Sequence, residues 1–111
     1  MTAQGARTMA TEFGVESIVE GDAVRLAMSG DINRSAQGAL DVAYESVDGA
    51  GSLVLDFTSV DYINSTGIAV IVGVLAKARA SGRNVSAVGL TDHYREVFRI
   101  TRLSDFMDIG D

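Results

Sequence analysis

The sequence predicts a small α/β domain: a mixed sheet of roughly four to five strands with helices packed mainly on one face. Three observations predict it. Two runs of alternating apolar and polar residues, Phe13 to Glu20 and Ala23 to Ser29, flank a Gly-Asp pair. A nearly continuous apolar run, Leu53-Val54-Leu55, follows later, as a central strand covered on at least one face requires. Around these runs, apolar residues recur at helical spacing. Strands alternating with helices in this order build one α/β layer.

Each element has its own signal. In the first run Phe13, Val15, Ser17 and Val19 oppose Glu16 and Glu20; in the second Val24, Leu26 and Met28 oppose Arg25 and Ser29. Gly21-Asp22 between them is a turn, so the pair reads as a hairpin. Gly30-Asp31-Ile32-Asn33 breaks the alternation, and Asn33 suits a helix cap. Leu40, Ala43, Tyr44 and Val47 mark a helix that Gly49 and Gly51 end. Ser52 to Phe57 reads as a strand, Ser59 to Asn64 as a loop, and Ser65 to Ala80 as a helix closed by Ser81-Gly82. Asn84 to Val88 is a further short strand. Thr91 caps a helix carrying Tyr94, Val97, Phe98 and Ile100. Leu103 and Phe106 read as anchors, and Met107-Asp108-Ile109 as a last short strand. Residues 1–12 read as a flexible N-terminal tail and 13–111 as a single domain.

Composition removes several function classes. Nine Lys and Arg stand against 15 Asp and Glu, a formal net charge of −6. Nucleic acid and anionic membrane surfaces both select basic proteins, so neither is an expected partner. The chain has no cysteine and a single histidine, His93. That leaves no thiolate chemistry and little basis for a zinc site or a Ser–His–Asp triad, and neither metal nor cofactor is expected. The longest apolar run, Ile68 to Ala76, is far short of the roughly 20 residues of a membrane span. The first residues lack the apolar core of a signal peptide, so a cytoplasmic location is expected.

The informative stretch is LVLDFTSVDYINSTGIAVIVGVL, residues 53–75. A strand ends and a helix begins at Asn64-Ser65-Thr66-Gly67. Helix N-termini present unpaired N–H groups and the positive end of the helix dipole, so a phosphate is tolerated there. Ser65 is therefore a sensible phosphorylation target, while the simplest reading of these residue types is a helix cap. One stripe of the helix, Ile68, Ile71, Leu75 and Ala78, suits the sheet. The opposite stripe is Thr66, Ala69, Gly73, Lys77 and Ala80, with Val70 at its side. Solvent would select polar residues there; small ones suit a docking surface. His93, the pair Asp56 and Asp61, and the acidic Asp105, Asp108 and Asp111 read as solvated or structural. No GxxxxGK[ST] or GxGxxG loop is present.

Residues 53–90, LVLDFTSVDYINSTGIAVIVGVLAKARASGRNVSAVGL, followed by VFRITRLSDFMDI, resemble the STAS domain, and within it the bacterial anti-sigma factor antagonists. That family shows a loop ending Asp-Ser-Ser/Thr-Gly before a helix, a Phe-x-x-x-x-Leu pattern in the last helix (here Phe98 and Leu103), and an upstream Gly-x-Leu/Ile-Asp (here Gly30-Asp31-Ile32-Asn33). The likeness covers about residues 13 to 109. It implies a STAS-type fold and a partner-switching regulator of transcription with no catalysis of its own. The unmodified protein would bind an anti-sigma factor that is also a serine kinase. Phosphorylation of Ser65 would release it, and a metal-dependent serine phosphatase would restore binding. ATP and metal would belong to those partners. The small-residue stripe and the matched motifs together put the expected partner binding at Gly30, Asp31, Asn33, Asn64, Thr66, Gly67, Ala69, Val70 and Gly73. The chain departs from the pattern at Asn33 and Asn64, where the family usually has Asp; both changes keep the capping shape and remove a negative charge.

Two other readings compete. One is a STAS interaction subunit of another complex, in stress signalling or lipid transport, without phosphorylation. The other is a small-molecule or nucleotide sensor using the same helix N-terminus. That would need nearby cations, and the adjacent segment supplies none before Lys77, Arg79 and Arg83. A monomer or weak dimer is expected.

Overall fold

The computed structural model describes residues 12–46 and 51–110. The expected tail therefore lies almost wholly outside the described residues, as do Val47, Gly49 and Asp111. Strands β1 (Gly14–Glu20) and β2 (Ala23–Ile32) form an antiparallel hairpin, in register from Gly14↔Ser29 to Glu20↔Ala23. A 3₁₀ turn (Arg34–Ala36) and helix α1 (Gln37–Glu45) lead to β3 (Ser52–Ile63), which lies parallel to β2. Helix α2 (Ser65–Ala80) leads to β4 (Asn84–Val88), and helix α3 (Asp92–Ile100) with a second 3₁₀ turn (Leu103–Asp105) leads to β5 (Asp108–Ile109). The sheet runs β1-β2-β3-β4-β5, with every pair after the hairpin parallel. This is the mixed five-stranded sheet the sequence predicts.

One face of the sheet carries the core. Val24, Leu26 and Met28 on β2, Leu53, Leu55 and Phe57 on β3, and Val85 and Ala87 on β4 are buried at every second position. Leu40, Ala43 and Tyr44 of α1, Ile71, Val74, Leu75 and Ala78 of α2, and Phe98 of α3 join them in one cluster. Phe98 meets Phe57 edge-on, with ring centroids 5.6 Å apart, a favoured aromatic geometry. The other face of β2 and β3 carries half-buried Arg25, Val54 and Asp56, with Arg25 reaching Glu20 at 2.8 Å and Asp56 at 3.5 Å.

Several expectations are corrected. Gly30 to Asn33 and Ser59 to Asn64 were expected to leave the sheet, yet β2 continues to Ile32 and β3 to Ile63, paired to one another. The register shifts between Ala27 and Ser29 and again between Gly30 and Asp31, each time with one more residue used on β3 than on β2. Each bulge breaks the two-residue alternation, so the extension reads as loop in the sequence. Gly30 is buried at φ 77°, a conformation that side-chain-bearing residues rarely adopt. Val19 is 70% exposed, although its phase puts it with Val15, and Phe106 is 45% exposed while its neighbour Met107 is buried. Val74 joins the core stripe of α2, whereas Ile68 is only half-buried.

Candidate functional site

β2 and β3 end side by side, with Ile32 and Ile63 as register partners. Each is followed by an asparagine that caps what comes next. Asn33 accepts from the Ser35 N–H at 2.9 Å and from the Ser35 hydroxyl at 2.6 Å. Asn64 accepts from the Gly67 N–H and the Thr66 hydroxyl, both at 2.8 Å. Capping needs only a side-chain oxygen, which an amide supplies as well as a carboxylate. Two adjacent caps made of amides also avoid the repulsion of two adjacent carboxylates.

The start of α2 is held from both sides. The Asn64 N–H donates to the Ile32 carbonyl at 3.3 Å, and the Ile63 N–H donates to the Tyr94 hydroxyl of α3 at 2.9 Å. Gly67 lies buried on β2: a Cβ there would sit 1.9 Å from the Ile32 carbonyl oxygen. This clamp fixes where Ser65 projects. Ser65, the first residue of α2, is exposed, and its hydroxyl has no hydrogen-bond partner among the described residues. Thr66 is also exposed, but its hydroxyl proton is committed to Asn64. Of the two neighbouring hydroxyls, Ser65 is the one left unengaged.

From Thr66 a groove of about 470 Å³ runs along α2, its other wall built by the first 3₁₀ turn and α1. Thr66, Ala69, Val70, Gly73 and Lys77 line one side, and Arg34, Gln37 and Asp41 the other. Gly73 is exposed, with nothing within 4 Å of where its Cβ would be. At the far end the Lys77 ammonium bonds Asp41 at 2.8 Å, a bond that raises the Lys77 pKa. Among the described residues no three His, Cys, Asp or Glu gather as a metal site would require. Asp56 accepts from the Thr58 N–H and hydroxyl, and His93 is exposed beside the Tyr94 ring.

The fold thus gathers Asn64, Ser65, Thr66, Ala69, Val70 and Gly73 on one surface. Asn33 and Asp31 are half-buried at the neighbouring strand end, while Gly30 and Gly67 are buried. Sequence reasoning misses the second wall. Arg34 comes within the same groove as Thr66 although 32 residues separate them in the chain. Only knowledge that β2 and β3 end together would have placed it. Asn64→Ala is expected to destabilise the protein by about 1 kcal/mol, with Asn64→Asp close to the parent in a urea melt. Equal stability of the Ala and parent proteins would show that the cap is dispensable.

The comparisons agree with this architecture. The sequence model of the family described as Mlab, STAS domain, matches residues 18–109. An anti-sigma-B factor antagonist from Listeria monocytogenes is 31% identical over 90 residues, covering 79% of each chain. A Thermotoga maritima structure assigned as an anti-sigma factor antagonist superposes with a TM-score of 0.76 at 21% identity, covering 87% of this chain and 86% of the other. The phosphorylated form of the Bacillus cell fate determinant SpoIIAA superposes with a TM-score of 0.66 at 17% identity, covering 90% and 92%. With most of its length matched in sequence and the same fold in both structures, the chain belongs to the STAS domain family, among relatives of the anti-sigma factor antagonists.

Proposed function

We propose that this protein is an anti-sigma factor antagonist that works by partner switching. In its unmodified form it binds an anti-sigma factor with serine kinase activity through the α2 groove. The kinase transfers the γ-phosphoryl group of ATP to Ser65. A bond forms between the Ser65 oxygen and phosphorus, the bond from phosphorus to the bridging oxygen of ADP breaks, and the hydroxyl proton passes to the kinase or solvent. A metal-dependent serine phosphatase reverses the change with water. The protein itself is a cytoplasmic binding partner rather than an enzyme.

The observation that carries this reading is the free, exposed Ser65 hydroxyl, one residue before Thr66, where a groove lined on the α2 side by the small residues Ala69 and Gly73 begins. The relatives' names and the SpoIIAA structure in a phosphorylated form support it. A phosphate brings a charge of about −1.5 to −2 at pH 7. At a helix start the fold accommodates it, while a partner fitted to a hydroxyl meets unmatched charge and bulk. The switch is then local electrostatics rather than refolding.

The test is incubation with the anti-sigma factor kinase and ATP, followed by intact and peptide mass. One phosphate on Ser65, absent in Ser65→Ala, and loss of the complex on modification are expected. Phosphate elsewhere, or a complex unaffected by phosphate on Ser65, would overturn the switch. One observation favours a second reading. Asn64 gives a kinase no carboxylate beside the target, so a stable complex that never becomes phosphorylated would indicate a STAS interaction subunit of another assembly.

A further inference from the structure

We infer that Arg34 is the built-in counter-charge for a phosphate on Ser65, its guanidinium pairing with that phosphate across the mouth of the α2 groove. This deepens the reading above and rests on Ser65 being the modified residue. The geometry begins at one rigid contact, the Ile32 carbonyl packed on Gly67. Arg34 stands two residues after Ile32, and Ser65 two residues before Gly67. The two therefore flank the same fixed point, and Arg34 and Thr66 line the same groove.

The charges of the groove single out Arg34. Its charged lining groups are Arg34, Asp41 and Lys77, and the last two are paired at 2.8 Å. What remains is one positive charge, on a protein whose formal net charge is −6. Arg34 is exposed and makes no ion pair among the described residues. The caps beside it, Asn33 and Asn64, are amides, so neither holds the guanidinium with a carboxylate. A planar guanidinium fork matches phosphate oxygens in a bidentate way that an ammonium cannot. Drawn to the phosphate, the Arg34 side chain covers the open end of the groove, so the modified state blocks docking with bulk as well as charge. The same pairing takes from a partner the one uncompensated cation the groove offers it.

The experiment uses the full chain with phosphoserine installed genetically at position 65, and follows the phosphorus NMR shift with pH. Free phosphoserine loses its second proton near pH 6, and a paired guanidinium lowers that midpoint. The midpoint is expected to rise in Arg34→Gln, to rise less in Arg34→Lys, and to stay at the parent value in Arg79→Gln. Arg79 is exposed on the last turn of α2 and removes the same charge from elsewhere. Equal midpoints in parent and Arg34→Gln overturn the pairing. Equal shifts in Arg34→Gln and Arg79→Gln overturn it too, because only net charge would then be at work. No kinase is used, so failure of the kinase to modify Ser65 would sink the switch without deciding this titration.

Discussion

Gly67→Ala is expected to destabilise the protein by at least about 3 kcal/mol, the upper end of ordinary overpacking costs. The new methyl group would lie 1.9 Å from the Ile32 carbonyl oxygen and 2.7 Å from its carbon. Those atoms are main chain at the paired ends of β2 and β3, so no side-chain rotation relieves the clash. Either α2 lifts from the sheet or the end of β2 is pushed out of register. Lifting α2 would strain the Asn64 N–H bond to Ile32 and loosen the packing of Ile71, Val74, Leu75 and Ala78. Domains of this size have only about 5–15 kcal/mol of stability in total, so the melting temperature should fall by more than about 10 °C. Circular dichroism melts of parent and variant decide it. A melting temperature within a few degrees of the parent would mean that the start of α2 floats and that Ser65 is not held in place. The glycine of the Asn-Ser-Thr-Gly stretch is accordingly a packing residue.

The sequence states the periodic parts of this structure and hides the parts that depend on proximity. The alternation in β2 and much of the helical stripes of α2 and α3 follow from repeating patterns, and Ile71, Leu75, Ala78 and Phe98 are legible as core, whereas Ile100 of the α3 stripe is 64% exposed. The ends of β2 and β3 are not, because each bulge inserts a residue and resets the phase. Phe106 and Met107 show the same problem at the scale of one residue: the last helix stops, the chain turns through Arg102 at φ 67°, and which neighbour points inward is set by that turn. In the site, the α2 wall is legible because one continuous helix carries it. The wall of Arg34, Gln37 and Asp41 is not, nor is the Ile63–Tyr94 hydrogen bond, which links residues 31 positions apart. No local rule joins them. The sensor reading loses ground for lack of cations in the neighbouring sequence, yet the fold supplies one, Arg34, from the adjoining strand end.

Gly73→Glu is expected to separate docking from folding, because it should move the two in opposite directions. Gly73 sits in the middle of α2, exposed, with open space where a Cβ would be. A glycine there lowers helix stability by about 1 kcal/mol relative to a good helix former. Glutamate removes most of that penalty, and four residues before Lys77 it is placed for a favourable i,i+4 pair. Stability should therefore stay level or rise by about 0.5 kcal/mol. The same side chain projects into the groove between α2 and α1, filling its floor and setting a carboxylate beside Asp41. Affinity for the anti-sigma factor kinase should drop by at least about tenfold, or about 1.4 kcal/mol. Calorimetric binding and a urea melt on the same preparation give both numbers. Gly73→Ala serves as the graded case, since it gains helix stability while adding only a methyl group to the floor. Unchanged affinity in Gly73→Glu would remove the groove from the interface, whatever happens at Ser65. Unfolding would contradict the open space around Gly73. If stability rises while binding is lost, the glycine is explained by what the groove must admit rather than by what the helix needs.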